Sequence, residues 1–174
     1  MSLEFEIPLV SLIFILILNI VYFSKKRADL EENKPYKVIL ISSLIVATID
    51  TVIHIICSAN TFESIVNNYY TLLNYLNKIL SALFSVIFSS LFFYTLLITY
   101  DKVRKNPKKI STILIIANIV FSVIMLFTNI ELVDAKVATN VTGATTMLGY
   151  AMVAIMLTCS LLVALTNIKK LDKN

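Results

Sequence analysis

The chain has 174 residues, 58% of them apolar, with two glycines, three prolines and a formal charge of +4 at neutral pH. A soluble domain is nearer one-half apolar, and the mean hydropathy of +0.86 excludes that class. The apolar residues form long blocks, not the short alternating stretches of a barrel, and the basic residues fall between blocks, which excludes a nucleic-acid-binding face.

What remains is an all-α fold: a polytopic membrane helix bundle, expected to form a single membrane domain over residues 1–174. Crossing a hydrocarbon core takes roughly 20 apolar residues in a helix, and five blocks reach or approach that length. The first is Ile7–Phe23. Glu4 and Glu6 precede it and SKKR follows it, so it lacks the basic leader and small-residue cleavage site of a signal peptide and is expected to remain as a span. The second, Val38–Cys57, carries Asp50 and the chain's one histidine, His54. The third, Thr71–Tyr100, is long enough that it must tilt or project beyond the bilayer. The fourth is Ile110–Asn129 and the fifth Val141–Ile168. Pro8, Pro35 and Pro107 stand at or just before the start of a span, where the missing N–H costs nothing.

Lysine and arginine set the expected orientation. Lys25, Lys26, Arg27, Lys34 and Lys37 lie between the first two blocks, Lys102, Arg104, Lys105, Lys108 and Lys109 between the third and fourth, and Lys169, Lys170 and Lys173 after the fifth. The alternate connections carry Glu63, Glu131 and Asp134 against Lys136. Positive residues mark the cytoplasmic side, so the N-terminus is expected outside and the C-terminus in the cytoplasm, in the plasma membrane. Tyr22, Tyr36, Tyr94 and Tyr100 are expected near the inner boundary and Tyr69 and Tyr70 near the outer one. The outer connections are about a dozen residues each, too short for a folded external domain.

Polar residues inside the blocks are the candidates for function. Asp50 and His54 are four residues apart, on one helix face, where they can pair. Counted from Val38 at 1.5 Å per residue, both are expected deep, facing the bundle interior, because an ionised carboxylate in lipid costs at least a few kcal/mol. They read either as a packing contact or as a site responsive to a ligand, a proton or an ion. Lys78, in NYLNKILSALFS, reads as a side chain snorkelling to the outer interface or as part of a polar mouth with Asn74 and Asn77. Ser81, Ser85 and Ser89 recur every four residues, and Thr145 and Gly149 repeat that spacing, so both sets read as close-packing seams. Asn19, Asn118 and Asn129 read as interhelical hydrogen-bonding groups or helix-end residues. Cys57 and Cys159 fall at different depths, which argues against a disulfide. No metal-ligand spacing, phosphate loop or nucleophile set is present, so no catalytic residue, metal or cofactor is expected.

YFSKKR at 22–27 and ENKPYK at 32–37, followed by an apolar helix carrying Asp50, resemble the opening of multi-span sensor histidine kinases of low-G+C Gram-positive bacteria. These have GHKL-type ATPase domains and AgrC-type membrane sensors. The resemblance covers the whole chain as architecture and residues 22–50 in specific letters. It implies a two-component signal-transduction module that senses an external or membrane-borne cue, such as a peptide or small molecule, and works as a homodimer. The chain departs from that family in ending at KKLDKN, with no phosphoacceptor or ATP-binding domain, so it is expected not to be an enzyme itself. The alternative is a small transporter or channel subunit, with Asp50, His54 and Lys78 lining a pathway, or an accessory membrane protein. Lipid is the expected partner in every case, and nucleic acid in none.

Overall fold

The computed structural model describes residues 3–25, 30, 33–60, 62–100, 103, 105–128, 131–135 and 138–167. Its helices are α1 (Leu3–Ser24), α2 (Asn33–Ala59), α3 (Phe62–Ser64), α4 (Tyr70–Thr99), α5 (Pro107–Phe127) and α6 (Ala144–Thr166). One turn of π-helix, Ile65–Tyr69, joins α3 to α4, so the third span is continuous over Ile65–Thr99. Five helices are long and apolar enough to cross a membrane, and the chain is a multi-pass helix bundle.

The helices extend beyond the expected spans where the backbone ladder continues past the apolar run. A helix satisfies its own N–H and C=O groups at any depth, so polarity ends the lipid contact without ending the helix. Hence α2 begins at Asn33, five residues before Val38, and includes Lys34 and Lys37. Pro35 and Pro107 do occupy first turns, at the third residue of α2 and the first of α5. Pro8 does not. It lies inside α1, whose helix starts at Leu3, and there the missing N–H removes one rung of the ladder.

The fifth span is shorter than expected because its first residues are not helical. Glu131–Ala135 (β1) pairs antiparallel with Ala138–Thr142 (β2), Glu131 opposite Thr142 and Ala135 opposite Ala138. The connection between the fourth and fifth spans is therefore a hairpin. Gly143, at φ 115°, turns the chain from β2 into α6, a backbone angle that glycine adopts without a steric penalty.

Two ends of the bundle can be named from these elements. The basic end carries Lys25, Lys34, Lys37, Lys105, Lys108 and Lys109; the hairpin end carries β1 and β2 and the short link from α2 to α3. Helix α4 is the hub, packing on α2, α5 and α6, whereas α1 packs on α2. The α1–α2 register is set by two polar contacts. Asn19 Nδ2 donates to the Leu40 carbonyl at 3.1 Å, and the Thr51 hydroxyl reaches the Pro8 carbonyl at 3.5 Å. Both pairs fit a single antiparallel alignment.

The apolar core lies between α2, the π turn and α4, where Ile53, Ile65, Leu73 and Leu80 are buried together. At the basic end the tyrosines pack on one another. Tyr22 and Tyr36 have ring centres 5.0 Å apart and Tyr36 and Tyr94 6.2 Å apart, so one aromatic cluster joins α1, α2 and α4.

Candidate functional site

The Asp50–His54 pair is held by a local bond. The His54 Nδ1–H donates to the Asp50 main-chain carbonyl at 2.9 Å, while the nearest Asp50 carboxylate oxygen lies 3.6 Å from the same nitrogen. A carbonyl only accepts, so this contact places a proton on Nδ1. The His54 and Asp50 side chains are 34% and 43% exposed. This differs from the expected interior face, for a geometric reason. Helix α2 meets α4 through Val46, Ile49, Ile53 and Ile56 and meets α1 at Leu40 and Thr51. At 100° per residue, positions 50 and 54 fall between those two faces.

The height of the pair can be read against α1. Thr51 stands level with Pro8, and the apolar part of α1 begins at Ile7. Asp50 therefore lies within about one 5.4 Å turn of the level at which the apolar part of α1 begins, and His54 at about that level, while the apolar span of α2 continues to Ala59.

Lys78 is not brought to this pair. Its Nζ donates to the Leu126 carbonyl at 3.0 Å, the penultimate residue of α5. An ammonium there satisfies one of the carbonyls left open at a helix C-terminus and sits at the negative end of the helix dipole. Its expected neighbours do not form a polar mouth with it. Asn77 Nδ2 donates to the Leu73 carbonyl at 2.8 Å, and Asn74 Oδ1 is buried without a hydrogen-bond partner.

The serine series on α4 divides between two neighbours. Ser81 faces Gly149 on α6, where an added Cβ would lie 3.5 Å from Ser81 Oγ and 3.8 Å from Met125 Cε. Those are ordinary contact distances, so the seam is close but has room for a methyl group. Ser85 and Ser89, 0% and 3% exposed, instead turn to α5, and both hydroxyls donate to Asn118 Oδ1, at 2.5 and 3.3 Å. Asn118 Nδ2 donates to the Leu114 carbonyl at 2.8 Å. Thr145, fully buried, shares a 2.7 Å hydrogen bond with Thr128 just past the end of α5. At the basic end, Asn167 Nδ2 donates to the Tyr100 hydroxyl oxygen at 3.0 Å and ties α6 to α4. Asn129 lies outside the described residues.

A groove of about 1020 Å³ lies beside this polar knot. Val86, Ser89 and Phe93 of α4 and Leu114, Asn118 and Ser122 of α5 line its walls, and Lys34, Lys105 and Lys108 stand around it at the basic end. The sequence reading missed it. The available signal was a second polar stripe, Ser111, Asn118 and Ser122, at helical spacing on α5.

Comparison of the chain with protein-family models, characterised proteins and solved structures finds no match. Among the described residues, no three His, Cys, Asp or Glu side chains come together as a metal site.

Proposed function

We propose that the chain is an integral plasma-membrane sensor module, with its hairpin end outside and its basic end in the cytoplasm. It reads an external or membrane-borne cue, a peptide or a small molecule, and acts as a homodimer without a catalytic step of its own. The observation that carries this reading is the path of α6. It starts directly at the hairpin, packs along the hub helix α4, and ends at Asn167, bonded to Tyr100 at the far end of α4. A shift of the hairpin by 1–2 Å, about the size of known signalling shifts of helices, would be delivered to the basic end by one rigid element. The charge distribution at the basic end supports the orientation. The separation of Asp50 and His54 from Lys78 favours a sensor over a transporter, because a transport pathway calls for polar groups along one route.

The test is to lock α6 against α4. Tyr100→Cys and Asn167→Cys are joined by a bis-maleimide in a Cys57→Ser, Cys159→Ser background, and the gene is returned to a deletion strain of its host. The expected result is a transcript profile that differs between crosslinked and uncrosslinked cells, with no solute flux when the purified chain is placed in liposomes. Identical transcript profiles, or ion or solute flux through the liposomes, would overturn the reading.

A further inference from the structure

The groove between α4 and α5 has a chemistry of its own. Its walls are mainly apolar, with Val86, Phe93, Leu114, Ile119 and Leu126 among them. Along α5 it runs from Pro107 to Leu126, about 28 Å at 1.5 Å per residue, close to the roughly 30 Å of a hydrocarbon core. Its volume of 1020 Å³ is at the upper limit of the roughly 300–1,000 Å³ typical of ligand pockets. All its charge is at one end. Lys34, Lys105 and Lys108 stand there, and no acidic residue lines the groove among the described residues. The N-termini of α2 and α5 open at the same place, Pro35 and Pro107 both lining it, so two helix dipoles add to the positive field. Backbone turns hold the mouth in shape. The Val103 N–H donates to the Tyr100 carbonyl at 3.0 Å and the Asn106 N–H to the Val103 carbonyl at 3.2 Å.

We infer that this groove is a binding site for an anionic phospholipid, with the phosphate at Lys105 and Lys108 and an acyl chain along the α4–α5 wall. Charge complementarity selects the headgroup, and the apolar walls accept the chain. A lysine near a membrane surface attracts an anionic headgroup by an amount worth several-fold in affinity, so two lysines together account for roughly tenfold or more. The site does not depend on the sensor reading, since a transporter or an accessory protein with this groove would hold the same lipid.

The experiment uses the purified full chain in phosphatidylcholine vesicles carrying a small fraction of diazirine-tagged phosphatidylglycerol, or the same tag on phosphatidylcholine. After photolysis, labelled peptides are identified by mass spectrometry. The expected result is phosphatidylglycerol label concentrated on the groove-lining parts of α4 and α5, falling roughly tenfold in a Lys105→Gln, Lys108→Gln variant. Ser90→Phe, which fills the groove wall, displaces the label with helicity intact. Lys109→Gln, a neighbouring exposed lysine outside the groove, leaves it unchanged. Equal labelling by both lipids, equal loss in Lys109→Gln, or full labelling in Ser90→Phe would each overturn the assignment, because each points to unspecific contact with a charged surface.

Discussion

Asn118 joins α4 to α5, and Asn118→Leu tests what that bond contributes. Leucine keeps most of the volume and removes the acceptor. In the native chain Asn118 Oδ1 receives the Ser85 hydroxyl at 2.5 Å and the Ser89 hydroxyl at 3.3 Å. Interhelical hydrogen bonds of this kind average about 0.6 kcal/mol in membranes and reach about 1.7. The Ser85 bond is short and its donor is fully buried, so it belongs near the upper figure, and the Ser89 bond near or below the average. The freed hydroxyls can turn to main-chain carbonyls four residues back, which limits the loss. Together these put Asn118→Leu at about 1–2 kcal/mol of destabilisation. The chain has no tryptophan, so the assay is unfolding by dodecyl sulfate in mixed micelles followed by far-ultraviolet circular dichroism. A double-mutant cycle with Ser85→Ala isolates the pair and should return a coupling of about 1 kcal/mol, and the same cycle with Ser89→Ala about half of that. Zero coupling in the Ser85 cycle would refute the reasoning, since it would leave the buried contact without energetic consequence.

Other outcomes follow from the same geometry. Gly149→Ala should be neutral or stabilising by about 0.5–1 kcal/mol, because the added methyl meets only ordinary contacts and alanine favours the helix; Gly149→Leu should cost about 1–3 kcal/mol by forcing α6 off Ser81. Both are read in the same unfolding assay, and a damaging Gly149→Ala would mean that the seam is tighter than its distances. Lys78→Met should lose about 0.5–1 kcal/mol by uncapping α5, seen as faster amide exchange in the last turn of α5 than in its centre. Asp50→Asn keeps the main-chain carbonyl that holds the His54 ring, so circular dichroism and the unfolding midpoint should remain unchanged or rise; a collapse of the fold would show that the carboxylate itself is structural.

The spans were legible because 20-residue apolar runs admit few other structures, and their ends were not, because a helix needs no apolar residue to continue. That is why α2 runs back through Lys37 and Lys34 to Asn33. The hairpin was hidden by Val141, which reads as the first apolar residue of a span but lies in β2, opposite Leu132 of β1. The four-residue spacing of Asp50 and His54 was visible, but their surroundings were not. The polar side of α2 carries Thr51, which meets α1, as well as Asp50 and His54, so polarity alone does not mark which side α1 and α4 will cover. The partner of Lys78 is 48 positions away, and no local pattern names a carbonyl at that distance. Asn118 was recognisable as an interhelical group, whereas its pairing with two serines of the α4 stripe depends on how α5 lies across α4.

The hub position of α4 also fixes an order of assembly. Helices α1 and α2 share their own register contacts and can dock as soon as both are in the bilayer, before α4 exists. Helices α5 and α6 have their principal contacts with α4 and little with each other along their length, so each can join without waiting for the other. Synthesis from the N-terminus therefore delivers a finished pair, then the hub, then two helices that seat independently. Pulling from the C-terminus should detach α6 as a separate early event, with α5 still in place on the remainder.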